Sequence, residues 1–381
     1  MRPVLRTTAT AVSSGLAGML RLIETLPERL AQALMEMLAD LIAGTTWRGR
    51  LLGLTVLLGL ATLPEWAGGG VVALMIPVLW LAYAAQAWNL VSGFAGLLSL
   101  GPALFVGLCA YCGAGLALHA GIGPWLGLWL AMPAAALAGT ALGALALRTD
   151  WPEVAFALLT LIAAEACRLG AGHLEILGGT AGLVLPPVAP GGLLPELRGH
   201  PVLAYYLLFG MTLTALVAIR LLLRSGLGYR WLAVRENPTA AAAVGVNLFR
   251  TRLSAMAVSA ALTAPAGAFL AFFSGALVPD QLFSATSSMA MVLGAVTGGL
   301  GTLFGPLVGA LVLAPVDAVL AWLSQRSGHP LPGLTPFCYG LLLVLVVLFR
   351  PGGLWPWLAH RFGLVPPGPP AGNRWPGEPG P

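Results

Sequence analysis

Polar side chains are scarce enough in this chain that each can be asked what chemistry it serves. Gln86 and Asn89, Ser99, Thr160, Glu165 with Arg168, and Asp317 all stand inside otherwise apolar runs. A polar group at membrane depth is costly unless it meets a partner or an aqueous cavity. Such residues line a polar path or hydrogen-bond neighbouring helices, and spacing alone leaves both readings open. Glu165 and Arg168 are three residues apart, which lets them pair on one helix face; contact with a solute is the alternative. Catalytic patterns are missing: the chain has no GxxxxGK[ST] loop for a nucleotide, no HExxH and no GxSxG. The histidines are scattered, so no metal site is expected. Cys109 and Cys112 form a CxxC that would matter in a redox protein, but inside an apolar run they read as small buried residues. What is left is transport chemistry, with no enzymatic activity and no cofactor expected.

The elements that must position these groups follow from composition. The chain is 58% hydrophobic and 9% charged, with mean hydropathy +0.88, against roughly 25% charged residues in soluble domains. Apolar runs at 51–67, 70–91, 99–118, 124–147, 152–171, 201–222, 253–275, 284–300, 303–323 and 334–349 predict an all-α, polytopic transmembrane bundle of about ten spans. The stretch 172–200 is too rich in Gly and Pro for a helix and reads as an ordered external loop. Arginines concentrated in loops place both termini in the cytoplasm. The net charge of +5 serves orientation; no basic–aromatic surface for nucleic acid is visible.

Three parts are expected. Residues 1–46 carry apolar residues at three- and four-residue steps, from Leu16 to Leu41, with charges on the other face: an amphipathic helical extension. Residues 47–353 form the membrane domain, and 354–381 a Pro/Gly-rich disordered tail. Within the membrane domain the loop 224–252 is the long polar interruption of the second half, bracketed by Arg224, Arg230, Arg235, Arg250 and Arg252. Inside it Glu236–Val246 reads as a short helix, begun by Asn237-Pro238, built of Ala240 to Ala243 and ended by Gly245. A helix there lies outside the lipid, where a partner can dock. Elsewhere Ser92-Gly-Phe-Ala-Gly96 with Gly101-Pro102 echoes Thr297-Gly-Gly-Leu-Gly301 with Gly305-Pro306. Broken helices at matching places of two halves point to a transport pathway.

Taken in order, these segments resemble the LivM-type permeases of branched-chain amino acid ABC importers, which are close to urea-importer permeases. The likeness runs through Asn89 to Gly96 with Leu98 to Gly101, Leu158 to Leu161 with Glu165 and Arg168, and Gly178 to Leu183. It continues with Ser225 to Gly228, Ala233 to Asn237 followed by Ala242 and Gly245, Gly298 to Gly301 with Phe304 to Pro306, and Phe349 to Gly353. Departures are Pro102 in a usual His position, Leu177 where Thr commonly precedes Gly-Gly, and Arg148 to Ala155, which lacks the family's Gly and Tyr.

The resemblance implies a permease that pairs with a sister permease as a heterodimer in the bacterial inner membrane. It also implies two cytoplasmic ABC ATPase subunits and a periplasmic or extracellular solute-binding protein. Arg235, Glu236, Ala240, Ala242 and Gly245 then couple to the ATPase. Asn89, Gly93, Gly96, Ser99, Thr160, Glu165, Gly178, Gly179, Gly298, Gly299 and Gly301 are expected along the translocation pathway. Alternatives are a urea or amide permease, a self-sufficient secondary transporter using Glu165 or Asp317, and a membrane thiol enzyme using Cys109 and Cys112.

Overall fold

The computed structural model describes residues 47–120, 124–148, 153–185, 197–327, 333–362 and 364. The expected extension over 1–46 and the tail from 365 onward lie outside them. The membrane bundle is the unit Thr55–Arg361.

Every expected apolar run is helical over most of its described residues. Apart from two four-residue helices, Leu63–Trp66 and Pro279–Leu282, the helices are α1 Trp47–Ala61, α2 Gly69–Asn89, α3 Pro102–Ala120, α4 Pro124–Leu147, α5 Glu153–His173 and α6 Pro201–Arg224. Then come α7 Gly226–Glu236, α8 Pro238–Ala243, α9 Leu248–Ser274, α10 Ala285–Gly298, α11 Gly305–Ser327, α12 Leu334–Phe349 and α13 Leu354–Arg361. Five described stretches are long and apolar enough to cross a membrane, and α12 with α13, bent by 49°, would make a sixth. Pro102–Leu118 and Gly305–Leu320 are apolar but shorter. With 14 residues, α10 is about 21 Å long against a hydrocarbon core of about 30 Å, so the run expected at 284–300 forms a helix short of a full span.

Other boundaries also differ from expectation. Residues 226–236, read as loop, form α7, with the Ser225 hydroxyl capping its start by accepting from Leu227 N–H. The short loop helix is α8 alone: the Asn237 side chain accepts from Ala240 N–H, Pro238 occupies the first turn, and Glu236 ends α7 instead of opening α8. Gly245 is in the left-handed region at φ +90°, as a helix stop requires. The boundary expected at 354 is not where helix ends, since α13 follows it. The loop after α5 holds two short helical turns and a two-residue strand, β1 Leu183–Val184, which pairs antiparallel with β2 Ala276–Leu277.

The centre of the bundle is α9, which packs on α2, α3 and α4. It can come close because the facing residues are small: Ala255, Ala260, Ala264, Ala266, Ala268 and Ala271 are all fully buried. A methyl built on Gly267 would run into the Val106 carbonyl, and one on Gly139 would stand 2.6 Å from Ala260 Cβ. Pro265 removes a donor from the middle of α9. On either side of it Tyr83 donates to the Leu262 carbonyl at 2.7 Å and Trp80 to that of Ala266 at 3.0 Å. Gly267→Val should therefore force α9 off α3 and cost at least about 1–3 kcal/mol. Thermal unfolding in detergent checks this; an unchanged midpoint would contradict the close approach.

Candidate functional site: two glycine junctions and the loop beneath them

Helix α2 does not simply stop. It passes into a π-turn over Leu90–Phe94, and the chain then runs without regular structure to Gly101. This first junction is buried, so its backbone polar groups need partners, and side chains supply them. Trp88 Nε1–H donates to the Ser99 carbonyl at 2.7 Å. The Ser92 hydroxyl donates to the Leu97 carbonyl at 3.0 Å and accepts from Ser99 N–H at 3.3 Å. From α5, the Thr160 hydroxyl accepts from Leu100 N–H at 3.0 Å while donating to the Ala157 carbonyl at 2.8 Å. From α10, the Ser288 hydroxyl accepts from Ala103 N–H at 3.2 Å. A methyl on Gly101 would overlap the Thr160 carbonyl. Ser99 Oγ and the Gln86 amide are buried and have no hydrogen-bond partner among the described residues.

The second junction lies between α10 and α11. It turns through Gly299 at φ +130° and Gly301 at φ +72°, and Thr302 Oγ1 holds it by donating to the Gly299 carbonyl at 2.7 Å and accepting from Gly305 N–H at 3.1 Å. Backbone touches backbone here: added methyls on Gly298, Gly309 and Gly353 would run into Gly305, Gly294 and Gly299 respectively. The aromatic rings of Phe304 and Trp355 lie 5.1 Å apart, so α13 covers this junction.

The two junctions meet. Asn89, fully buried at the end of α2, donates through Nδ2 to the Thr302 carbonyl at 2.9 Å and accepts at Oδ1 from Gly301 N–H at 2.8 Å. Gly93 has no room for a side chain because Asn89 Oδ1 and Gly301 N occupy it. Beneath both lies α7, anchored by Trp231, fully buried with Nε1–H donating to Ser254 Oγ at 3.0 Å. Its penultimate residue, Arg235, lies against Gly96 and against Gly301.

The residues named from sequence thus separate into three groups. Asn89, Gly93, Gly96, Ser99, Thr160, Gly298, Gly299 and Gly301 belong to the paired junctions. Glu165 lies further along α5 and pairs with Arg168, whose Nε–H donates to Oε2 at 2.9 Å and whose Nη1–H donates to Asp280. Gly178 and Gly179 sit in the β1 loop, where Gly178 packs on Gly182 and Gly182 on the Leu277 carbonyl. Glu236, Ala240, Ala242 and Gly245 are exposed in the α7–α8 region. Asp317 accepts a hydrogen bond from Tyr339 on α12. Cys109 is buried and Cys112 exposed, both free, and no group of three or more metal-binding side chains occurs among the described residues. Trp88, Ser288 and Asp280 escaped sequence reading, since nothing in their spacing distinguishes them from helix filler.

A family model described as "Branched-chain amino acid transport system / permease component" matches residues 70–348, which include both junctions and the α7–α8 loop. The chain is 30% identical over 292 residues to the high-affinity branched-chain amino acid transport system permease protein LivM of Escherichia coli (strain K12), covering 70% of this chain and 66% of the relative. LivM of Salmonella typhimurium is 31% identical over the same length and shares. The autoinducer 2 import system permease protein LsrC of Enterobacter sp. (strain 638) is 33% identical over 223 residues, 56% of this chain and 61% of the relative. The matched stretch spans just under two thirds of these relatives' own length. No solved structure matches the chain.

Thr160 offers a direct test of how the first junction is held. Thr160→Val keeps the shape but strands Leu100 N–H, at about 1–3 kcal/mol for a buried unpaired donor, whereas Thr160→Ser keeps the hydroxyl. Denaturant unfolding in detergent should rank wild type and Thr160→Ser well above Thr160→Val; equal midpoints would remove the hydroxyl from the account.

Proposed function

The chain belongs to the branched-chain amino acid transport system permease family, and from that premise we propose that it is the membrane-spanning permease subunit of an ABC importer. It is a multi-pass membrane protein. In this reading it carries a branched-chain amino acid or a similar small polar solute by alternating access, and a separate chain hydrolyses ATP. The relatives' names cover branched-chain amino acids and autoinducer 2, so the solute class is drawn no narrower than small and polar.

The observation that carries the reading is the shape of the α7–α8 pair. Helix α7 is fixed to the bundle through Trp231 and Val234, both buried. Helix α8, stiffened at its start by the Asn237 cap and closed by Gly245, leaves Ala240, Ala242, Ala243 and Val244 exposed, Val244 at 80%. Small apolar residues on a rigid, projecting turn suit a groove on a partner protein. Closure of two ATPase subunits would push on α8, and α7 would carry the displacement to the junctions. The assembly proposed is this chain with a sister permease, two cytoplasmic ATPase subunits and an external solute-binding protein. It would sit in the bacterial inner membrane with both termini in the cytoplasm, as the arginine distribution favours.

The test is purification from the native membrane in mild detergent, with mass analysis of companions. An ATPase chain and a second permease are expected in fixed proportion to the wild-type chain. Val244→Glu and Ala242→Trp alter only exposed side chains of the α8 turn. Both should lose the ATPase chain, and ATP-driven uptake with it, at unchanged membrane yield. Uptake in liposomes by the chain alone, without ATP, would overturn the importer reading.

A further inference from the structure

Resting on the importer reading, we infer that Arg235 is the positioning residue through which displacement of the loop reaches both glycine junctions together, rather than a contact with the ATPase itself. Arg235 stands three residues before α8 opens and is exposed as a whole, yet part of it rests against the bundle. A methyl built on Gly96 would lie 3.2 Å from Arg235 Cα, 3.3 Å from Cβ and 3.1 Å from Cγ, so the backbone and the root of the side chain rest on the first junction. A methyl on Gly301 would collide with Nη1 and lie 3.1 Å from Cζ, so the guanidinium rests on the second. One side chain therefore spans from one junction to the other, with its stem on one glycine and its head on the next.

Three further features make this a linkage and not an incidental touch. Gly96 and Gly301 occupy the same left-handed region, at φ +70° and +72°, which other residues adopt only with strain. Both therefore present bare backbone to Arg235 where a side chain would hold it off. The junctions are already joined to each other by Asn89, so a push on either is felt by both. And α7 cannot yield separately from its surroundings: Trp231 and Val234 fix one face of it in the core, and a methyl on Gly228 would run into the Leu222 and Leu223 backbone. Movement of α8 is thus delivered at the end of α7, where Arg235 is.

The experiment uses the whole complex in nanodiscs, with solute-loaded binding protein, and reads companion chains, solute-stimulated ATP hydrolysis and uptake. Arg235→Ala should keep the ATPase chains in fixed proportion while stimulation of hydrolysis by loaded binding protein falls at least tenfold and uptake is lost. Arg235→Lys, which keeps stem and charge, should recover at least a third of the stimulation; this variant decides the matter if too little of the Arg235→Ala chain reaches the membrane to be purified. A shared contact also predicts non-additivity. Gly96→Ala should reduce stimulation at least fivefold beside Arg235 and less than twofold further in the Arg235→Ala background, whereas backbone strain at position 96 alone would multiply through both. Loss of the ATPase chains from Arg235→Ala would make Arg235 a docking contact and overturn the inference, as would full stimulation in that variant; the importer reading survives either. A wild-type chain that never holds an ATPase overturns the importer reading itself.

Discussion

Inside a bilayer an amide has no water to turn to, and an unpaired N–H or C=O costs several kcal/mol. Everything distinctive about this bundle follows from breaking two helices under that constraint. The irregular segment after the π-turn survives because Trp88, Ser92 and Thr160 each hold a backbone group of it and Ser288 holds Ala103 N–H where α3 opens. Those four side chains come from three helices, so the break fixes where α5 and α10 stand relative to α2. The second break is held differently. Its own Thr302 closes the turn, and glycines bring α10, α11 and the start of α13 so near that backbone packs on backbone.

The same economy of side chains shapes the core. Close approach of α9 to α2, α3 and α4 depends on alanine and glycine, which contribute little side-chain burial but allow dense contact. Aromatic residues supply the directional part: Trp80 and Tyr83 reach across to α9 carbonyls on either side of Pro265. Away from the junctions, the β1–β2 pairing and the Arg168 contacts to Glu165 and Asp280 join the end of α5 to the chain between α9 and α10.

Much of this was legible in the chain. Apolar length alone located the ten runs, and Asn237-Pro238 and Gly245 marked both ends of α8 because capping chemistry is local. The Glu165–Arg168 pair followed from helical spacing. What escaped was non-local or masked by composition. Asn89 finds its partners more than two hundred residues away, which no spacing rule reaches. Helix α7 begins with Gly226 and Gly228 and carries two arginines, so propensity and charge both spoke for a loop; burial of Trp231 and Val234 overrides them. The pathway residues expected as one set divide because Gly178, Gly179 and Glu165 serve the far end of α5. Arg235, expected in the arginine bracket and among the ATPase-coupling residues, is exposed yet rests partly on Gly96 and Gly301, contacts that only the folded chain shows.

The π-turn at Leu90–Phe94 has a geometric consequence. Ala95 N–H bonds to the Leu90 carbonyl at 3.2 Å, five residues back, so this turn of α2 contains one residue more than an α-turn would. Such a surplus is a reservoir of slack. If the turn tightened to α geometry, the chain beyond it would swing about the helix axis by roughly 100° and the released residue would pass into the irregular segment. Asn89, lying before the turn, would keep its hold on Gly301 and Thr302, while Gly96 and Ser99, lying after it, would be carried round. The anchor on Gly301 and the part that would move are thus separated by a single turn of backbone, and the part beyond the turn is held where it stands by Trp88, Ser92 and Thr160.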